Sequence, residues 1–288
     1  MIVNPVSGRG QAGNRMLPTI RRFTEAGWRM TVYVTGNGDL TGELRRYLRK
    51  SYDLIICAGG DGTVSLTAGL LYEMNDRTPL MIFPTGTTND YGRSLGLKTD
   101  MADNFRHLKG ARPRAVDLGL FNKRTFTYVA AFGAFTDTSV NTAQSLKNVL
   151  GHGAYVISGL REFTAIPEYD VRIRVDGRHF SGRYALGMVS NAKYIGGFRI
   201  DGRIPDIRPD DGLLEVILYR KPKRVKDFAD LAAMFVADKQ PEGVSVLRGR
   251  DIRMKFREPV PWTLDGEGTA PVRYVRIGVA EHAVRIIY

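Results

Sequence analysis

Apolar and polar positions follow one rhythm before about residue 115 and another after it. In the first part, short apolar runs alternate with segments of helical spacing. Met1–Asn4 predicts a strand and Pro5–Gly13 a loop. Leu17, Ile20 and Phe23 predict a helix over Asn14–Ala26, ended by Gly27. Arg29–Val34 alternates as a strand does. Leu40, Leu44, Tyr47 and Leu48 share one face of a helix over Leu40–Lys50. Tyr52–Ala58 is the near-continuous apolar run that a parallel sheet buries on both faces. Thr63–Tyr72 predicts a helix, Leu80–Phe83 a strand and Asp100–Lys109 another helix. This alternation predicts an α/β, doubly wound parallel sheet. Such sheets bind ligands beyond the carboxyl ends of their strands. The loops Pro5–Gly10, Gly36–Gly38, Gly59–Gly62 and Pro84–Asp90 fall at that edge.

In the second part most segments read as strands: Ala115–Phe121, Phe126–Phe132, Tyr169–Val175, Arg178–Ser190, Leu213–Tyr219, Val244–Arg250, Ile252–Phe256 and Val272–Val279. Asp176-Gly177 and Asp265-Gly266 supply turns. Only Thr138–Phe163 and Arg224–Ala237 read as long helices. The pattern predicts a C-terminal antiparallel β-rich domain over 116–283 after an α/β domain over 1–115. The cleft between two such domains is the expected active site.

Composition narrows the class. At 288 residues, 43% hydrophobic and 25% charged, the chain reads as a globular protein of one large or two ordinary domains. Its single cysteine, Cys57, excludes an internal disulfide and predicts a reducing cytoplasmic setting. No apolar run approaches the ~20 residues of a membrane span. The start, Met1-Ile2-Val3-Asn4-Pro5, lacks the basic opening of a signal peptide. Net charge is +12, from 42 Lys and Arg against 30 Asp and Glu. Such a balance suits nucleic acid, nucleotides or anionic lipid surfaces. The cations are dispersed, and no zinc-finger, helix-turn-helix or ribonucleoprotein motif is present, so nucleic acid is disfavoured.

The candidate chemistry lies in the strand-end loops. Cys57-Ala58-Gly59-Gly60-Asp61-Gly62-Thr63 is a strand, a glycine turn with one carboxylate, and a helix start. Glycines let backbone N–H groups close on a phosphate, and a helix N-terminus adds its dipole. Asp61 would repel that phosphate, so a divalent cation between them is expected, as in ATP-Mg²⁺ chemistry. The alternative is a strand–turn–helix junction with Asp61 as a local cap. Pro84-Thr85-Gly86-Thr87-Thr88-Asn89-Asp90-Tyr91 brings hydroxyls, an amide and a carboxylate to the same edge. Thr87 and Asn89 suit phosphate or a sugar edge. Asp90 suits orienting a partner or capping the next helix. Asn4-Pro5-Val6-Ser7-Gly8-Arg9-Gly10 is a third polar loop, and no Walker Gly-Lys-Ser/Thr occurs. In the second part, Glu267 follows the Asp265-Gly266 turn and could take a proton from an attacking hydroxyl, or be a solvated hairpin acid. Asp206, Asp210 and Asp211 cluster before a strand, as a divalent cation or a metal-free acidic turn requires. His107, His152, His179 and His282 show no metal-ligand spacing, and no Gly-x-Ser-x-Gly elbow appears.

Taken in order, Val3–Gly8, Gly59–Thr63, Pro84–Gly96, Asn191–Gly197, Asp210–Val216 and Asp265–Glu267 resemble the diacylglycerol kinase catalytic family. The branch is that of bacterial soluble lipid kinases, with sphingosine kinases as relatives and a nucleotide domain like that of NAD kinases. The resemblance implies an ATP-dependent transfer of phosphate to a lipid hydroxyl, most simply on diacylglycerol, giving phosphatidic acid. It implies nucleotide contacts from Asn4, Pro5, Val6, Ser7, Gly8, Thr35, Gly60, Asp61, Gly62, Thr63, Val64, Ser65, Leu66 and Thr87, which Asn89 joins from the reading of its loop. It implies Glu267 as general base, Asp61 organising Mg²⁺ with support from Asp90, and a second, structural metal on Asp211 and the Leu213 carbonyl beside Asp210. It also implies that Val284–Tyr288 returns to the first domain as a strand. The chain departs from the family at Ser65-Leu66, where relatives carry Asn-Glu. It departs again at Arg208, three residues before Asp211, which implies a weaker metal or its replacement by a guanidinium. Because the chain starts almost at its first strand, a few residues upstream are expected.

The expected partners are a lipid substrate in the membrane and the anionic inner face of that membrane, met peripherally from the cytoplasm. Ser145–Phe163 reads as core packing or as a lipid entrance. Homodimerisation is left open. Two rivals stand beside this reading: a soluble-substrate kinase of the NAD kinase type, and a catalytically weak lipid- or nucleotide-binding regulator. The Thr87–Asp90 loop and the Asp210–Leu213 segment favour the lipid kinase over the first. Ser65-Leu66 keeps the second in play.

Overall fold

A computed structural model describes residues 1–36, 39–99, 104–105, 108, 110–133, 167–200, 206–221 and 243–288. The expected helices over 138–163 and 224–237, and much of that over 100–109, lie outside the described residues. The chain forms two compact units, Met1–Leu118 with Glu281–Tyr288, and Gly119–Ala280.

The first unit contains β1 (Ile2–Val3), α1 (Gln11–Glu25), β2 (Tyr33–Val34), α2 (Leu40–Leu48), β3 (Ile55–Gly59), α3 (Asp61–Glu73), β4 (Leu80–Pro84) and α4 (Asp90–Ser94). The strands lie in the order β2-β1-β3-β4 and pair in parallel. Every residue of β3 and β4 is buried, as their continuous apolar runs require. Val3, Phe23, Ile56, Ala58, Met81 and Phe83 form the core on one side. The end of the chain completes the sheet, with Ile286 beside Leu80 and Ile287 beside Met81, again in parallel. Two expectations shift. The helix starts at Gln11 rather than Asn14, because a 3₁₀ turn over Ser7–Gly10 leads straight into it. The strand expected over 29–34 shrinks to Tyr33–Val34, because its partner β1 offers only two residues to pair with.

Beyond residue 113 the described residues are mostly strand. The chain runs through β5 (Arg114–Phe121), β6 (Arg124–Phe126), β7 (Val129–Gly133), β8 (Tyr169–Val175), β9 (Arg178–Tyr184), β10 (Leu186–Ser190) and a small hairpin, β11 (Tyr194–Ile195) with β12 (Phe198–Arg199). It continues through β13 (Leu214–Tyr219), β14 (Val244–Gly249), β15 (Asp251–Val260), β16 (Trp262–Leu264), β17 (Glu267–Gly268) and β18 (Val272–Ile287). One antiparallel sheet of the second unit runs β18-β15-β8-β9, and the other runs β14-β13-β10-β7-β16-β17. Phe132, Phe256 and Trp262 pack together in the core, with ring centroids 4.9 to 6.0 Å apart.

The single strand expected over 178–190 is two. Residues 178–183 alternate toward solvent, whereas Leu186–Ser190 is buried throughout, so β9 and β10 join different sheets with Ala185 between them. Conversely, the strands expected over 272–279 and 284–288 are one. His282 takes φ 50° within β18, and its N–H donates to the buried Asp117 carboxylate at 2.7 Å. Among the described residues no helix is long and apolar enough to cross a membrane.

Candidate active site

Three loops of the first unit interlock beyond the carboxyl ends of β1, β3 and β4. The Asn4 backbone N–H donates to the Ala58 carbonyl at 2.9 Å, and that of Thr85 to Gly59 at 3.0 Å. The Asn4 side chain links two loops: its Nδ2 donates to Thr63 Oγ1 at 3.0 Å, and its Oδ1 accepts from Val6 at 3.1 Å. Thr85 Oγ1 donates to Ser7 Oγ at 3.2 Å. Glycine is required where the loops touch. A Cβ on Gly8, whose φ is +60°, would lie 1.8 Å from the Thr85 carbonyl oxygen, and one on Gly86 would lie 2.6 Å from the Gly60 Cα. The helix α3 starts at this junction, so its dipole and first-turn N–H groups face the loop cluster.

Asp61 binds this cluster together. Its carboxylate accepts from Thr88 Oγ1 at 3.2 Å, from the Asp90 N–H at 3.1 Å and from the Tyr91 N–H at 3.1 Å. It therefore caps α4 from a different loop, while its own helix begins on Gly60 without a side-chain cap. Asn89 sits in the left-handed region at φ 52° and closes its own loop, with Oδ1 accepting from Gly86 N–H at 2.7 Å and Nδ2 donating to Gly86 O at 2.8 Å. Both ends of the amide expected to reach nucleotide are thus used to shape the loop. Asp90 is buried at α4's first position. Thr87, Pro5 and Val6 are exposed, Gly62, Ser65 and Leu66 half-buried, and Ser7, Thr63 and Val64 buried. Thr35 is also buried, its N–H donating to Val3 O at 2.9 Å. The hydrogen bond between Asp90 and Asp61 comes from the Asp90 backbone N–H, so it joins the two loops at the pair of acids whose residue type suits Mg²⁺, commonly held by one or two carboxylates with phosphate oxygens and water.

Glu267 stands on a two-residue hairpin in the second unit. Asp265 and Gly266 take φ of 51° and 88°, and Leu264 pairs with Glu267 across the turn. The Asp265 carboxylate accepts from Thr127 N–H, from Thr127 Oγ1 at 2.8 Å, from Tyr128 N–H at 2.9 Å and from Val129 N–H at 3.0 Å. The hairpin is thereby fastened to the start of β7. The Glu267 side chain is 67% exposed, with the Arg124 guanidinium 3.9 Å away. The sequence announces the turn through Asp-Gly but not the role of Asp265, because its four donors lie some 136 to 138 residues away in the chain.

At the implied structural metal, a guanidinium already supplies the charge. Arg248 Nη2 lies 2.7 Å from Asp211 Oδ2, and Arg248 Nε lies 3.1 Å from Glu215 Oε1. The other Asp211 oxygen accepts from Leu213 N–H at 3.1 Å. Asp210 is exposed, and among the described residues no three metal-ligating side chains gather. The residues present fit an arginine bridge better than a resident metal. The arginine is Arg248, whereas Arg208, to which the sequence pointed, is exposed. Burial raises the Glu215 carboxyl to about 7, against the opposing pull of Arg248. Neither Arg248 nor Glu215 was singled out in the sequence, since β13 and β14 bring them together only by pairing Glu215 with Arg248.

Known proteins resemble the chain along both parts. Residues 1–121 match the diacylglycerol kinase catalytic domain, and 129–288 match the YegS C-terminal NAD kinase beta sandwich-like domain. A diacylglycerol kinase of Staphylococcus carnosus is 32% identical over 96% of this chain and 91% of its own length. One from Bacillus subtilis is 28% identical over 99% and 95%. The crystal structure of a diacylglycerol kinase from Bacillus anthracis superposes with a TM-score of 0.78 at 26% identity, covering all of this chain and 95% of that one.

Proposed function

The chain belongs to the diacylglycerol kinase family and is a lipid kinase, and from that premise we propose that it transfers the γ-phosphate of ATP to the free hydroxyl of diacylglycerol. The observation that carries the reading is the loop cluster around Gly8, Gly60 and Gly86, which opens on the N-terminus of α3 and is tied together by Asp61.

The first-turn N–H groups of α3 and the Ser7–Gly8 loop receive the phosphates. Asn4 and Asn89 hold those loops in shape, and exposed Thr87 meets the nucleotide. Asp61 and Asp90 would hold a Mg²⁺, which would supply charge neutralisation to the phosphates. Glu267 takes the proton as the lipid oxygen attacks the γ-phosphorus. The new O–P bond forms as the bond to the β-phosphate oxygen breaks, and ADP leaves. Its exposure leaves the Glu267 side chain open to an arriving substrate, and Asp265 sets where it stands. Because its acceptor is a lipid, the enzyme works at the inner face of the membrane and meets that anionic surface through Lys and Arg.

The test is ATP consumption with Mg²⁺ over vesicles carrying diacylglycerol, ceramide-like bases or no acceptor, with NAD as a separate acceptor. Turnover on diacylglycerol is expected. Turnover on NAD alone would assign a soluble-substrate kinase, and ATP binding without turnover on any acceptor would assign a regulator.

A further inference from the structure

Two adjacent rows on the outer face of β9, β8, β15 and β18 set cations opposite cations. His179 pairs with Arg174, Arg174 with Arg253, and Arg253 with Arg276, which sets four basic side chains abreast across four strands. In the next row Arg172 pairs with Lys255, between Ser181 and Tyr274. Directly opposed side chains in a sheet stand about 4.5–5.5 Å apart at Cβ, and like charges so placed repel. Among the described residues one carboxylate answers them: Asp251 lies 3.0 Å from Arg253 and 3.3 Å from Arg276. Among the described residues Arg172, Arg174 and Lys255 have no acidic partner. Lys255 lies instead over the ring of the exposed Tyr274, at 5.2 Å. Arg174 Nε is buried and has no hydrogen-bond partner among the described residues. These side chains line a concavity of about 610 Å³.

A sheet that needed these residues only for solubility would intersperse both signs. We infer that this face is a binding site for a phosphate group, built by Arg172, Arg174 and Lys255 and bordered by His179. Guanidinium forks match phosphate oxygens in pairs, and a phosphomonoester carries enough charge to relieve several cations at once. A carboxylate ligand would satisfy one arginine and leave the others repelling. The site lies on the sheet that lacks the Glu267 hairpin, and it does not depend on the kinase reading. Two sources supply this chemistry: a phosphomonoester lipid headgroup at a bilayer surface, or a soluble phosphate.

The experiment compares wild type with the Arg172→Gln/Arg174→Gln double variant and, separately, with Lys255→Gln. Binding of inorganic phosphate is followed by calorimetry. Binding to phosphatidylcholine vesicles, plain or doped with phosphatidic acid, is followed by sedimentation. The double variant is expected to bind about tenfold more weakly or worse, and Lys255→Gln to weaken binding in the same arm. A loss confined to the phosphate arm identifies a soluble ligand, and one confined to doped vesicles identifies a headgroup; either supports the site. If the double variant melts well below wild type, Lys255→Gln alone decides between the outcomes. Wild type that binds neither probe, or variants that bind both as wild type does, overturn the inference. Turnover on detergent-dispersed diacylglycerol is read on the same proteins and is expected to stay unchanged, so a failed kinase reading stays distinct from a failed site.

Discussion

Asp265 and Glu267 are two carboxylates on one hairpin, and they are treated in opposite ways. Asp265 is 6% exposed and accepts from three backbone N–H groups and a hydroxyl. Glu267 is mostly in water, with one guanidinium 3.9 Å away. An acid whose lone pairs are filled by the fold holds geometry. An acid left to solvent keeps its lone pairs for a proton. Asp61 stands between the two, since it fastens Thr88, Asp90 and Tyr91 yet is only half-buried. The acidic residues of this chain are therefore held in different ways, and their hydrogen bonds tell which is which.

The sharpest way to break this contrast is Asp265→Ala. It strands the donors of Thr127, Tyr128 and Val129 in a buried place. A buried unsatisfied donor costs about 1–3 kcal/mol, so a loss of about 3–5 kcal/mol in urea unfolding is expected, and turnover should go with it. Arg248→Gln comes next. Removing one partner of a buried charge pair costs about 3–5 kcal/mol, discounted here because Arg248 is one-third exposed, so a drop nearer 2–3 kcal/mol is expected. Chelating divalent cations in the nucleotide-free protein should leave its melting temperature unchanged, since Arg248 already neutralises Asp211. A clear drop on chelation would show that a metal shares that place. Asp61→Asn retains one acceptor oxygen and should cost about 1 kcal/mol of stability, with the Mg²⁺ needed for half-maximal turnover rising as the added sign of a reagent's role. The smallest effect belongs to Arg124→Gln. An exposed pair at this distance contributes at most about 1 kcal/mol, and turnover should change by about twofold or less.

Much of the first unit was legible because its signals are local. Continuous apolar runs marked β3 and β4, and glycines marked the loops that meet at their ends. The second unit was harder, because strand identity there depends on which sheet a residue joins. Arg178–Ser190 reads as one extended run, and only the change from alternating to continuous burial divides it at Ala185. His282 illustrates the reverse: the strands read separately over 272–279 and 284–288 run on as one through a residue at φ 50°, whose N–H donates to Asp117, 165 positions distant. The Arg248 bridge and the cationic sheet face were illegible for the same reason. Both arise from cross-strand register, which brings together residues that share no motif.

The most direct test of the central claim is a pair of measurements on Glu267→Gln: phosphate transfer from ATP to vesicle-borne diacylglycerol, with ATP affinity and melting temperature taken on the same sample. A general base contributes about 10²–10⁴-fold, so turnover should fall by that factor while ATP binding and stability match wild type. Turnover near the wild-type rate would contradict Glu267 as the base and, with it, the division of labour on this hairpin.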